Sequence, residues 1–217
     1  MAVRAFTARL VLAAAVVGGV SYLAADHLTL SSTASLAWKG SGVGLLALYA
    51  ALRARNLDGW LLAAVMVLGA AGDVLLGAAG FVVGGGVFLL GHLTAIGLYL
   101  KNRRPDLAAS DRLFAMVLIP AVAAAAYLLP ADRGGAPGVA VYALGLAAMA
   151  ASAGVSRFPR RVALGALMFV GSDLLIFARS GPLAGAAWIG FAIWGLYFAG
   201  QTLICLGVTR SLSRDAA

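Results

Sequence analysis

The sequence predicts an all-α membrane protein: a polytopic transmembrane helix bundle of about eight spans, with both termini in the cytoplasm. Three observations carry that expectation. Hydrophobic residues make up 63% of the 217-residue chain and the mean hydropathy is +0.98, more apolar surface than a soluble domain can bury. The apolar residues form continuous Ala- and Leu-rich runs close to the roughly 20 residues that a helix needs to cross a bilayer. Nowhere does the sequence alternate at the short spacing of a β-barrel strand.

The first span runs near Arg9–Ala25, behind Arg4 and Arg9. Its basic start, apolar stretch and small residues around Ala24 and Ala25 imitate a signal peptide. The run nearly reaches span length, and cleavage would leave an odd helix count, so it is read as retained. The second span, near Ala34–Leu52, is opened by Lys39 and followed by Arg53 and Arg55. The third, near Gly59–Gly77, contains Asp73, and the fourth, near Gly80–Leu100, contains His92. The Gly84–Gly86 triplet in the fourth is no phosphate loop, because no strand precedes it and no Lys-Ser/Thr follows. Lys101, Arg103, Arg104 and Arg112 bracket the next loop. Spans five and six lie near Leu113–Leu129 and Gly138–Gly154, and Arg157, Arg160 and Arg161 follow. The seventh, near Val162–Ala178, contains Asp173; the eighth, near Gly185–Val208, contains Tyr197 and Gln201.

Basic residues also set the orientation. All but Lys39, Arg133 and Arg179 of the 16 fall on one side of the expected bundle, which puts that side and both termini in the cytoplasm. The net charge of +8 is thereby explained without nucleic acid, and no soluble domain remains to bind it. Residues 1–217 read as a single integral domain of the cell membrane, with no linker long enough to divide it. The segments around Asp73 and Asp173 align with each other and suggest an internal repeat of two four-helix halves. Cys205 is alone, so it reads as a small buried apolar residue.

The two aspartates stand out because every acidic residue of this chain is an aspartate and these two lie within apolar runs. A carboxylate in hydrocarbon costs several kcal/mol unless it is paired, protonated or wetted. At about 1.5 Å of rise per residue, Asp73, His92, Asp173 and Tyr197 share a central band about 10 Å tall. Gln201 is one turn beyond Tyr197 on the same face. Ser172 supports the carboxylate or lines the pocket, and Lys39 opens its span at the outer edge. Asp26, His27 and Asp58 read as ordinary interfacial residues. One buried histidine and two aspartates without an HxxxH pattern make a poor metal site, so no metal is expected.

Lys39, the Gly72–Leu76 segment GDVLL, His92 closing FLLGH, Ser172–Leu175 as SDLL and Tyr197–Ile204 as YFAGQTLI occur in an order that resembles the YhhN family of eight-helix membrane proteins. Two positions depart from the family pattern: Gly40 follows Lys39 where proline is common, and Ala95 stands where a tyrosine is common. Characterised members are lysoplasmalogenases. The resemblance therefore implies hydrolysis of the vinyl ether bond of a lysophospholipid drawn from the bilayer, without a cofactor. Asp73 and Asp173 would be the catalytic acid/base pair, with Lys39, His92, Ser172, Tyr197 and Gln201 binding substrate. Taken by themselves, buried Asp and His residues also fit a proton-coupled transporter or a non-catalytic lipid-binding membrane protein.

Overall fold

A computed structural model describes residues 2–214 of the chain, apart from the side chains of Ala2, Asp26 and His27, which lie outside the described residues. Among the described residues eight α-helices follow one another: α1 Ala2–Ser21, α2 Ser32–Arg53, α3 Leu57–Ala78, α4 Gly80–Lys101, α5 Ala109–Leu128, α6 Ala136–Val155, α7 Arg160–Arg179 and α8 Ile189–Arg214. A six-residue 3-10 turn, Tyr22–His27, follows α1. The described residues hold no strand, only an antiparallel bridge between Arg103 and Ser156.

Among the described residues, seven spans are long and apolar enough to cross a membrane, and α2 is the helix that falls short. Its first half carries Ser32, Thr33, Ser35, Lys39 and Ser41 among four glycines and alanines that add little hydropathy. Packing against both α1 and α3 covers it instead. Most helices also outrun their apolar stretches. Helix α1 starts seven residues before the expected Arg9, and α8 continues through Arg210 to Arg214. Arginine is a good helix former, so the helix persists where the hydrocarbon-compatible run stops. Caps fix other ends. The Ser31 side chain accepts from the Ala34 amide at 3.3 Å and Asn56 from the Gly59 amide at 3.0 Å, each satisfying an otherwise orphaned donor. Gly185, at φ +80°, turns the chain into α8 later than the apolar run suggests.

The chain divides into two compact units, Met1–Ala95 with Cys205–Ala217, and Ile96–Ile204. In the first, α1 buries Ala8 and Ala15 against α2 and turns Val3, Phe6, Leu10 and Val17 outward. That stripe suits contact with acyl chains. Val43, Leu46, Leu62 and Met66 fill the space between α2 and α3. Trp38 donates to Ser21 Oγ at 3.0 Å and tethers the start of α2 to the end of α1. Cys205 is fully buried, its thiol 3.7 Å from the Leu46 carbonyl.

The second unit is built on α5, α6, α7 and most of α8. Ala143, Ala147 and Ala150 give α6 a smooth buried face. Helices α7 and α8 touch backbone to backbone at Gly165 and Gly200, where a Cβ on either would lie 2.6 Å from the other's carbonyl oxygen. Small residues permit such approach where lipid gives no hydrophobic drive. At one end Arg157 donates to Asn102 Oδ1 at 2.8 Å, and Arg104 donates to the Gly154 carbonyl at 2.9 Å while pairing with Asp111 at 3.2 Å.

Candidate functional site

In the first unit, α2 and α3 run antiparallel across a three-residue link, Ala54–Asn56. Lys39 lies seven residues into α2 and Asp73 five residues before the end of α3. Both are thus about 8–10 Å from the same end of the pair at about 1.5 Å per residue. Gly40 lets the helices close, since a Cβ there would sit 2.7 Å from Val74 Cγ2. The Lys39 ammonium then reaches within 3.8 Å of Asp73 Oδ1 and 3.5 Å of the Asp73 carbonyl oxygen. The Asp73 side chain is 4% exposed and that of Lys39 21%. Desolvating a carboxylate is tolerable when a cation stands beside it. Lys39, expected to look toward headgroups, is therefore first of all the counter-charge of a buried aspartate.

Gly72 beside Asp73 lies against the ring of Phe88, which a Cβ would meet at 2.8 Å, so α4 also packs closely at the aspartate. His92 is buried on α4, twelve residues past its start, and so about 10 Å deeper along the helix axes than Asp73. Asp58 is buried and sits in the first turn of α3, at the end of a span, where the helix dipole favours a negative charge.

In the second unit Asp173 is 5% exposed, and its Oδ2 accepts a 2.5 Å hydrogen bond from the hydroxyl of Tyr142 on α6. No hydrogen bond to Oδ1 joins it among the described residues. The tyrosine ring stands edge-on to Phe177 at 6.1 Å, which fixes its tilt. Tyr142 was not among the residues singled out in the sequence. Its signal is positional: it lies six residues into α6, and Asp173 lies six residues before the end of α7, so antiparallel neighbours bring them level.

Ser172 donates to the Ile193 carbonyl at 3.0 Å and so ties α7 to α8 instead of serving Asp173. Adjacent residues on a helix point about 100° apart, which is why both cannot face one partner. Tyr197 sits in an aromatic cluster, 5.0 Å from Phe169 and 5.6 Å from Trp194 between ring centroids. Gln201, 1% exposed, lies 3.5 Å from the Tyr197 hydroxyl through Nε2. Its Oε1 is buried and takes no hydrogen bond among the described residues. Such a buried acceptor costs about 1–3 kcal/mol, and in a binding site it marks a place for a ligand donor. Among the described residues, no three His, Cys, Asp or Glu side chains gather as a metal-binding group.

A cation from a neighbouring helix thus stands beside Asp73, and a phenol hydroxyl from a neighbouring helix donates to Asp173.

Residues 34–208 match the model of the YhhN family. The chain is also similar to the lysoplasmalogenases of Mycobacterium bovis and Mycobacterium tuberculosis. Each is 36% identical over 159 residues, which cover 68% of this chain. The matched stretch spans 59% of the length of either relative. No solved structure matches the chain.

Proposed function

Because the chain belongs to the YhhN family of membrane proteins, we propose that it is an intramembrane hydrolase of lysoplasmalogen-type lysophospholipids. It releases a fatty aldehyde and a glycerophospho-alcohol. The observation that carries the proposal is the 36% identity to two proteins named lysoplasmalogenase. The two partnered, buried aspartates supply matching chemistry. As one membrane domain in the cell membrane, the protein draws its substrate from the bilayer and uses no cofactor.

A vinyl ether breaks once a proton is added to the carbon farther from oxygen. The resulting oxocarbenium ion takes up water at the carbon bonded to oxygen and becomes a hemiacetal. Proton transfer from the hemiacetal hydroxyl to the glycerol oxygen, with loss of that C–O bond, yields aldehyde and alcohol. One water is consumed and no net proton. The enzyme must donate one proton to carbon, collect one from water, and shelter a cation meanwhile.

Asp173 is the donor in this scheme. Its Oδ2 is held by Tyr142, which leaves Oδ1 to carry the proton. Asp73, charge-matched by Lys39, is the carboxylate that steadies the cation and receives the proton of the attacking water. Gln201 Oε1 accepts the free hydroxyl of the lysolipid glycerol, while His92 and Tyr197 orient water or the glycerol end. The ammonium of Lys39, whose side chain is one-fifth exposed, adds attraction for the lipid phosphate.

The test is aldehyde release from a 1-alkenyl lysophospholipid by the full-length protein in nanodiscs. Asp73→Asn and Asp173→Asn each lower kcat at least about 100-fold, the low end for general acid–base groups. The double variant falls little below the worse single one, because residues that act as a unit are not additive. A wild-type protein that releases no aldehyde removes the hydrolase. Near-normal turnover in both variants removes the aspartates.

A further inference from the structure

The first unit carries a second polar feature, at the end away from Lys39. Arg4, Ala5, Leu52, Arg53 and Arg55 line a cavity of about 180 Å³. It lies about 20 Å along α2 from Lys39, which is fourteen residues before Arg53. Three guanidinium groups share it, and no acidic side chain is among its lining residues.

Two of the arginines are held in place by single bonds that leave donors over. Arg4 gives Nε to the Leu52 carbonyl at 2.8 Å, and Arg53 gives Nη2 to Ser213 Oγ at 2.9 Å. Arg53 Nε is fully buried and makes no hydrogen bond among the described residues. Three like charges around one hollow repel unless an anion sits among them. Guanidinium groups match phosphate oxygens in fork geometry. A mere orientation signal needs positive charge near the membrane edge, but not three arginines around one cavity.

The surroundings point to a lipid as the source of the phosphate. Next to Arg4, α1 turns Val3, Phe6 and Leu10 outward, 79%, 62% and 55% exposed, as a stripe along which acyl chains can lie. The hollow is smaller than the roughly 300–1,000 Å³ of pockets that enclose a whole small molecule. It therefore admits a headgroup phosphate and leaves the tails outside. Basic pockets at the ends of membrane helices hold anionic headgroups in this way.

We propose that this cavity is a binding site for the headgroup phosphate of an anionic membrane phospholipid, distinct from the aspartate residues. Occupancy would clamp α1 to α2 at their basic ends. The proposal is independent of the hydrolase reading.

Thermal melting of the full-length protein in a neutral detergent tests it, with titration of dioleoyl-phosphatidylglycerol, dioleoyl-phosphatidylcholine or sn-glycerol 3-phosphate. Phosphatidylglycerol raises the midpoint saturably and phosphatidylcholine does not. The Arg4→Gln/Arg55→Gln double variant, at two exposed residues, melts normally without lipid and needs at least fivefold more phosphatidylglycerol for half the shift. Arg112→Gln, an exposed basic residue outside the cavity, responds as wild type. The site is refuted if phosphatidylcholine protects equally, if the double variant keeps its full response, or if Arg112→Gln loses as much. Protection by glycerol 3-phosphate at or below the lipid's concentration refutes the lipid as occupant.

Discussion

Replacing Tyr142 by phenylalanine isolates one atom of the proposed mechanism. The change deletes the hydroxyl that donates to Asp173 Oδ2 at 2.5 Å and keeps the ring that stands edge-on to Phe177. Asp173 becomes a carboxylate as it gives up its proton, and a hydrogen bond to a charged group contributes about 1.5–3 kcal/mol. Asp173 is 5% exposed, so bulk water does not readily replace the lost donor. If the bond holds the carboxyl in its working orientation through the transition state, its loss lowers kcat/KM by about 10- to 150-fold, at about 1.4 kcal/mol per decade. The assay is aldehyde release in nanodiscs, alongside a melting curve on the same preparation. The ring packing survives, so the melting point stays within a few degrees of wild type while activity falls. Tyr142→Ala, which also empties the space beside Phe177, loses both. A Tyr142→Phe protein within twofold of wild type in kcat/KM would refute the positioning role. It would also remove the reason for placing the transferred proton on Asp173 Oδ1.

Three further outcomes follow from the packing. Gly165→Ala puts a methyl 2.6 Å from the Gly200 carbonyl oxygen, a backbone atom that cannot swing aside, whereas a Cβ on Gly195 of the same unit meets nothing within 4 Å. Overpacking costs about 1–3 kcal/mol, so Gly165→Ala lowers the melting temperature by several degrees at about 2–4 °C per kcal/mol. Gly195→Ala does not, and equal melting of the two variants refutes the close approach. Lys39→Met removes the ammonium beside the Asp73 carboxylate, whose side chain is 4% exposed, and destabilises the protein. Adding Asp73→Asn restores part of the loss, a coupling of about 0.5–3 kcal/mol in a double-mutant cycle of denaturation free energies, and strict additivity would show the pair to be idle. Gln201→Leu removes the buried acceptor Oε1 and leaves the melting point unchanged or higher. It lowers kcat/KM for the lysolipid at least about tenfold if that oxygen takes the glycerol hydroxyl, and unaltered kinetics would exclude the contact.

The architecture was legible in the sequence because a membrane span is a local property. A run of some 20 apolar residues declares itself whatever surrounds it, and eight helices are found where eight runs were read. The exception teaches the same lesson. Helix α2 is too polar to qualify by composition, and its neighbours α1 and α3 make up for the difference. The aspartates were legible for the same reason, as charges in apolar text. Their partners were not. Which side chain faces a carboxyl depends on how each helix is rotated, at 100° per residue, and on how far it is slid along its neighbour. Gly40 sets that slide for Lys39 and Asp73, and the antiparallel register of α6 and α7 sets it for Tyr142 and Asp173. Ser172, adjacent in sequence to Asp173, is turned to the Ile193 carbonyl. Composition alone determined that this chain is a bundle of membrane helices carrying two unusual carboxyls. Packing between helices decided that one carboxyl is answered by an ammonium and the other by a phenol, because partner choice is a matter of geometry between segments and not of the residues within one.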